Sequence, residues 1–469
     1  MSRTWLRLGS IAAVLALLLG ACADLGGGGG TGAPASGAAA SGAAASGAAA
    51  SGAAASGAAA SGAAASGAAP SAAGTKGAIK IWYSNNKEEV TWGKAVVAAW
   101  NKDHPDEQVT GEEIPAGKSS EEVIGASITA GNTPCLIFNT APAAVPQFEK
   151  QGGLVALDSF PDGASYIKDR TGDRADQYKF TDGKYYQMPW KTNPVMIFYN
   201  KTVFTKAGLA TDNPPLKTYA DFLATAKTLV AKGGVQAAIW PSPSADFYQP
   251  WFDFYPLFIA QSGGKALVEG GEPLFTTADG LAVANFWKSL YDGNLTPKEA
   301  YQGDSFADQK AAMAIVGPWA IAVYGDKVKW GAVPVPTKDG KDPKDIHTFS
   351  DEKSIGMYSS CKNLGTAWDF LKFSTSKDND GQLLTLTGQM PMRADVVGTY
   401  PDYFTAHPEY KAFADQASRT VEVPSVPNSV EMWQTFRTAY SESVIFGKTP
   451  IEQAFKAAAD KIKTLVSGN

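Results

Sequence analysis

Histidine and cysteine are scarce in this chain, with three of each among 469 residues. His104, His347 and His407 lie far apart, which leaves no histidine cluster for a metal and no histidine beside a nucleophile. No Cys-x-x-Cys pair occurs, so a zinc ribbon is excluded. Basic charge is not in excess: the formal net charge of −5 argues against nucleic acid and against an anionic membrane surface as partners. The segment "GEEIPAGK" encloses five residues between Gly111 and Gly117, one of them proline, where a phosphate loop needs four. Carboxylates are many, yet none stands in a pattern that marks an acid/base pair. Neither an enzyme nor a cofactor is expected.

What is present begins with a leader. Arg3 and Arg7 precede "IAAVLALLLG", an apolar stretch too short to span a bilayer comfortably. It ends in Leu19-Gly20-Ala21-Cys22, which resembles a lipobox, cut before the cysteine whose thiol then carries lipid. Residues 1–21 are expected to be a signal peptide. The mature protein is expected to sit lipid-anchored through Cys22 on the outer face of a bacterial plasma membrane. "SGAAA" then repeats six times over 36–65 and closes in "SGAAP". A Ser-Gly pair every five residues works against the helix that alanine favours, and nothing in the run can bury a core. Residues 22–77 are expected to be a flexible tether, with an end-to-end distance of roughly 40 Å as a coil. With Cys22 taken by lipid, Cys135 and Cys361 remain as an even pair in an oxidising compartment.

From Ile79 the pattern is α/β. "AIKIWYS" reads as a strand, "KEEVTWGKAVVAAWNKD" as an amphipathic helix, "EQVTGEEI" as a strand, "SSEEVIGASITAG" as a helix and "PCLIFNT" as a third strand. Such alternation predicts a mostly parallel sheet flanked by helices. Ligands meet such sheets at the carboxyl ends of the strands, here "SNNK" and the pair Asn139-Thr140. In "PWKTNP" two prolines bracket polar residues, which predicts a chain crossing between domains. "AAMAIV" reads as a short buried segment broken by Gly317-Pro318, leaving Trp319 at a turn.

Six stretches, in order, resemble the bacterial extracellular solute-binding proteins of ABC importers, oligosaccharide branch: "IKIWYSNNK", "TPCLIFN", "VMIFYNKTVFTKAGL", "QPWFDFYP", "AAMAIVGPW" and "EMWQTFRTAYS". The resemblance implies a type II periplasmic-binding-protein fold, two α/β lobes with the ligand in the cleft between them. On that basis lobe I takes 78–192 and 349–392, and lobe II takes 193–348 and 393–469. It also implies a monomer that carries a sugar or oligosaccharide to membrane permease subunits. Cys135 and Cys361 fall on neighbouring antiparallel strands of the family fold, which implies a disulfide.

A pyranose offers apolar C–H faces ringed by hydroxyls, so its site wants aromatic plates with amides, carboxylates and hydroxyls. By resemblance Trp251, Trp319 and Trp433 take aromatic positions of lobe II, and Asn86, Lys87, Asn139 and Asn193 take polar positions in or near lobe I. Thr140, Trp190, Lys191, Tyr248 and Gln249 are further candidate contacts. Asn193 stands where maltodextrin binders carry an acid and Asn139 where they carry an aromatic, which departs from a maltose site. Two other readings remain open: the same fold binding a phosphate ester, polyamine or metal chelate, and a secreted glycoside hydrolase.

Overall fold

The structure is a computed structural model that describes residues 74–84, 86–115 and 119–467. The leader, the lipobox cysteine Cys22 and the repeat lie outside the described residues. The strands are β1 Ile79–Tyr83, β2 Val109–Glu113, β3 Leu136–Thr140, β4 Met188–Thr192, β5 Met196–Asn200, β6 Ala237–Ile239, β7 Val268–Glu269, β8 Glu272–Pro273, β9 Ala311–Val316, β10 Trp330–Val333, β11 Thr348–Phe349, β12 Lys353–Met357, β13 Met390–Pro391 and β14 Thr420–Val421.

Two larger sheets organise the fold. The first, lobe I, runs β13-β4-β12-β3-β1-β2, and the second, lobe II, runs β10-β5-β9-β6. The expected α/β architecture of two lobes is present, but the sheets are mixed rather than mostly parallel. In lobe I only β1 pairs in parallel with β2 and β3, while β12 is antiparallel to both β3 and β4, and β13 to β4. In lobe II β5 is antiparallel to β9 and β10, and only β6 lies parallel to β9. The reason is connectivity. A helix-covered crossover returns a strand in parallel, whereas β12 enters lobe I from the other lobe and is free to insert in the opposite direction.

Local chemistry explains the first elements. Helix Lys87–Asp103 starts where the Asn86 Oδ1 accepts from the backbone N–H groups of Glu88 and Glu89, each at 3.1 Å. Glu88 and Glu89 complement its positive end, and Val90, Trp92, Val96 and Trp100 bury one face. Helix Ser120–Thr129 starts in the same way, with Ser119 Oγ accepting from the Glu122 N–H at 3.2 Å.

Sheet membership changes at 193–195, at 350–352 and a third time after β13, and the first two crossing segments run side by side. Val195 N–H donates to Phe349 O at 2.8 Å, Asp351 N–H to Asn193 O at 3.1 Å, and Pro194 bridges Ser350. Pro189, expected to stop a ladder, lies inside β4. Its partner strand shifts register between Lys353 and Ser354 opposite it, and such an irregularity accommodates a residue with no N–H. Cys135, before β3, and Cys361, after β12, are joined as a disulfide with Cα atoms 4.5 Å apart. No described helix is long and apolar enough to cross a membrane.

Candidate ligand-binding cleft

Between the lobes lies a cavity of about 480 Å³, within the size range of small-molecule sites. Lobe I contributes Ser119, Glu121, Glu122 and Gln147; lobe II contributes Asp246, Phe247, Tyr248, Asn428, Glu431 and Gln434. The capped start of helix Ser120–Thr129 holds the two glutamates at the rim. Across the cavity, Tyr248 precedes the 3-10 helix Gln249–Phe252 and its hydroxyl donates to Asp246 Oδ2 at 3.2 Å. Burial, with the Asp246 charge beside it, raises the Tyr248 pKa, so the phenol stays protonated. Gln434 Nε2 is spent on Ala245 O at 2.7 Å. The side chains of Glu121, Glu122, Gln147 and Glu431 hold no hydrogen bond to any described residue. They are acceptors, and in Gln147 a donor, ready for hydroxyl groups.

Of the residues singled out in the sequence, Tyr248 is the one that lines this cavity. Asn86 has its side-chain oxygen committed to the helix start, with Lys87 exposed beside it. Asn139 is half-buried at the end of β3, and its φ of 65° lies in the left-handed region, which asparagine tolerates better than most residues. That conformation turns the backbone at the strand end. Thr140 is buried, with Oγ1 donating to Ile137 O at 3.3 Å.

Six further candidates prove to be interior residues. Trp190 packs in the lobe I core, its ring 5.3 Å from Trp92 and 5.2 Å from Phe138. The Lys191 ammonium is buried against the Glu89 carboxylate, and burial lowers its pKa despite that partner. Glu89 also accepts from Gln389 Nε2 at 2.6 Å. Trp251 and Trp433 are buried in lobe II with rings 5.9 Å apart. Amphipathic elements turn their largest aromatics inward, which outweighs the motif argument for these tryptophans. Gln249 is buried as well. Asn193 lies in the crossing, its Nδ2 donating to Asp351 O at 3.1 Å.

Trp319 differs from these. It opens helix Trp319–Tyr324 half-buried, and its ring folds back over the turn so closely that a Cβ at Gly317 would collide with it. An aromatic row joins it to the interior: Trp433 and Trp251 at 5.9 Å, Trp251 and Phe349 at 5.6 Å, Phe349 and Phe252 at 6.3 Å, Phe252 and Trp319 at 5.9 Å. Phe349 belongs to β11, beside the crossing. Lobe I reaches the same apolar cluster through Ala141 and Ala143, and the 3-10 turn Pro142–Ala144 packs on helix Ser429–Tyr440. The lobes therefore touch along one side of the cavity.

The acids of the cavity were missed in the sequence. Their signal was Ser119-Ser120-Glu121-Glu122, a capped helix start just after β2, on the carboxyl-end side of the sheet.

A family model described as bacterial extracellular solute-binding protein matches residues 95–414. The diacetylchitobiose binding protein DasA of Streptomyces coelicolor is 24% identical over 369 residues, 75% of this chain and 82% of its own. The maltodextrin-binding protein MdxE of Bacillus subtilis is 23% identical over 361 residues, covering 72% and 78%. Among solved structures, the cyclic alpha-maltosyl-1,6-maltose binding protein from Arthrobacter globiformis superposes with a TM-score of 0.71 at 20% identity, over 84% of this chain and 100% of that one. Because the family match runs through strands of both sheets and through the crossing segments between them, the chain belongs to the bacterial extracellular solute-binding proteins.

Proposed function

We propose that the protein captures an oligosaccharide between its lobes and delivers it to the permease of an ABC importer, acting as a receptor and not as an enzyme. The observation that carries this reading is the interlobe cavity, where uncommitted carboxylates and an amide face the Tyr248 ring. Hydroxyl-rich ligands need acceptors of that kind beside an aromatic plate. Relatives named for diacetylchitobiose, maltodextrin, maltotriose and galactooligosaccharide binding support the ligand class. Stacking one sugar face, roughly 50 Å² at about 25 cal/mol per Å², contributes roughly 1 kcal/mol. Micromolar binding needs about 8 kcal/mol, so the remainder falls to hydrogen bonds from both lobes, which favours closure around the ligand. In this reading lobe I is 78–192 with 349–392, lobe II is 193–348 with 393–469, and 193–195 and 350–352 are the pivots. A lipid on Cys22 and the repeat behind it would hold a monomeric receptor at the extracellular face of the plasma membrane.

A thermal-shift screen of diacetylchitobiose, maltotriose and galactooligosaccharides tests the reading. A ligand at 100 times its Kd adds about 2.7 kcal/mol of stability. The hit should weaken about tenfold in Tyr248→Ala and in Glu121→Gln. Retained affinity in both variants would remove this cavity as the site, and release of shorter products from the sugar would make the protein a hydrolase.

A further inference from the structure

Two carboxyl groups meet beside the crossing, and neither belongs to the cavity. Glu352 ends the crossing segment 350–352, and Glu422 follows β14, the strand paired with β11. They are 3% and 9% exposed. Glu422 Oε1 accepts from the Val423 N–H at 2.7 Å, while Oε2 of each acid finds no donor among the described residues. The parallel pairing of Phe349 with Val421 ends one residue before Glu422 and three before Glu352, so both buried acids leave the same end of the β11–β14 ribbon. Two carboxyls buried together, each with an oxygen that no donor reaches, favour a proton on one of them.

The neighbouring charges do not replace that proton. Arg174, from the 3-10 helix Gly172–Tyr178 of lobe I, faces Glu352, but its guanidinium donates to Ala417 O at 3.1 Å and Arg393 O at 3.2 Å. Lys353 faces both acids and is paired with Asp351; burial would lower its pKa, and Asp351 outweighs this, with a smaller contribution from Glu121. On the far side, Tyr255 of helix Phe254–Ser262 donates its hydroxyl to the Glu422 carbonyl at 2.8 Å.

We propose that Glu352 and Glu422 form a proton-operated latch between the crossing segment and lobe II. Holding one proton, the pair ties 350–352 to the β11–β14 ribbon. Without it, two like charges buried side by side repel and loosen that tie. Burial pushes the Glu352 carboxyl up to about 7, and burial together with the Glu352 charge raises Glu422 well above the usual range. A carboxyl raised in the folded state contributes stability that is full below its unfolded pKa, near 4.5, and is lost as pH rises through about 7. The latch concerns the crossing and its test uses no ligand, so it stands or fails apart from the sugar reading.

The test takes the intact protein between pH 5.5 and 8.5 and records melting temperature and radius of gyration by X-ray scattering. The wild type should lose a few degrees and expand as pH rises. Glu422→Gln, whose amide donates without titrating, should flatten both changes. A radius of gyration that does not move with pH, or equal pH responses in wild type and variant, overturns the latch. Carboxyl NMR of glutamate-labelled wild type is independent of whether the variant folds: one of the pair should titrate near or above pH 7. Both titrating below pH 5 would also overturn it.

Discussion

Arg437 is the residue whose loss should be felt furthest. It lies on helix Ser429–Tyr440, is fully buried, and places each arm of its guanidinium. Nη1 donates to Asp253 Oδ2 at 2.7 Å, Nε to Ser244 O at 2.7 Å and Nη2 to Ser242 O at 2.9 Å. It thereby neutralises a buried acid and pins the loop that leads to Asp246 and Tyr248 on the cavity wall. Arg437→Met keeps much of the apolar stem but strands the Asp253 carboxylate and two carbonyls. Breaking a buried pair from one side costs about 3–5 kcal/mol, which for a domain of this size lowers Tm on the order of 10 °C. Burial already raises the Asp253 pKa against the pull of Arg437, and without the arginine it rises further. The defect should therefore be largest near neutral pH and shrink as pH falls and Asp253 takes up a proton. Asp253→Asn combined with Arg437→Met removes both charges and should recover much of the loss. Melts of the wild type, both single variants and the double variant from pH 5 to 8 measure this. A double variant no more stable than Arg437→Met, or a defect that grows toward low pH, would refute the reasoning.

Trp319 lies outside the cavity lining, so Trp319→Ala should change sugar affinity only a few-fold while costing roughly 1–2 kcal/mol of stability, less than the 3–5 kcal/mol of a fully buried tryptophan. Calorimetry and a melt on the same variant separate the two effects, and an affinity lost tenfold with the melt nearly unchanged would put its ring on the ligand. Cys135→Ser with Cys361→Ser opens a loop of sequence separation 226 and should cost up to roughly 5 kcal/mol in denaturant unfolding; an unchanged midpoint would contradict this. Cys22→Ser should release protein to the medium or leave the precursor uncut, and mass spectrometry showing an unchanged, membrane-bound mature form would rule out the anchor.

The local order of the chain was legible because its signals are local. "KEEVTWGKAVVAAWNKD" forms helix Lys87–Asp103, its start written in Asn86 and the two glutamates, its inner face in the spacing of Val90, Val96 and the tryptophans. The crossing was legible too, but displaced: the prolines of "PWKTNP" pointed to it, and it begins at Asn193, just beyond β4. Strand direction was not, since β12 joins lobe I from a distance and nothing in "KSIGM" states which way it will lie. The site was harder still. Trp190, Trp251 and Trp433 differ from Trp319 in what long-range packing places over them, and no short motif encodes a cover. Glu121 and Glu122 read as ordinary helix-start acids, because facing the other lobe depends on both sheets at once.

Just beyond β3 the chain presents small side chains to the other lobe. Ala141 and Ala143 are almost fully covered, and the turn they belong to rests on helix Ser429–Tyr440. Their size fixes how near the two halves come, much as the thickness of a shim fixes a gap. A valine or leucine in place of Ala143 would hold the halves apart by its own added bulk and change the height of the chamber beside it. The aperture is thus set by residues that need not touch the cargo, and its adjustment to thicker or branched cargo could proceed there while the acids and the tyrosine stay as they are.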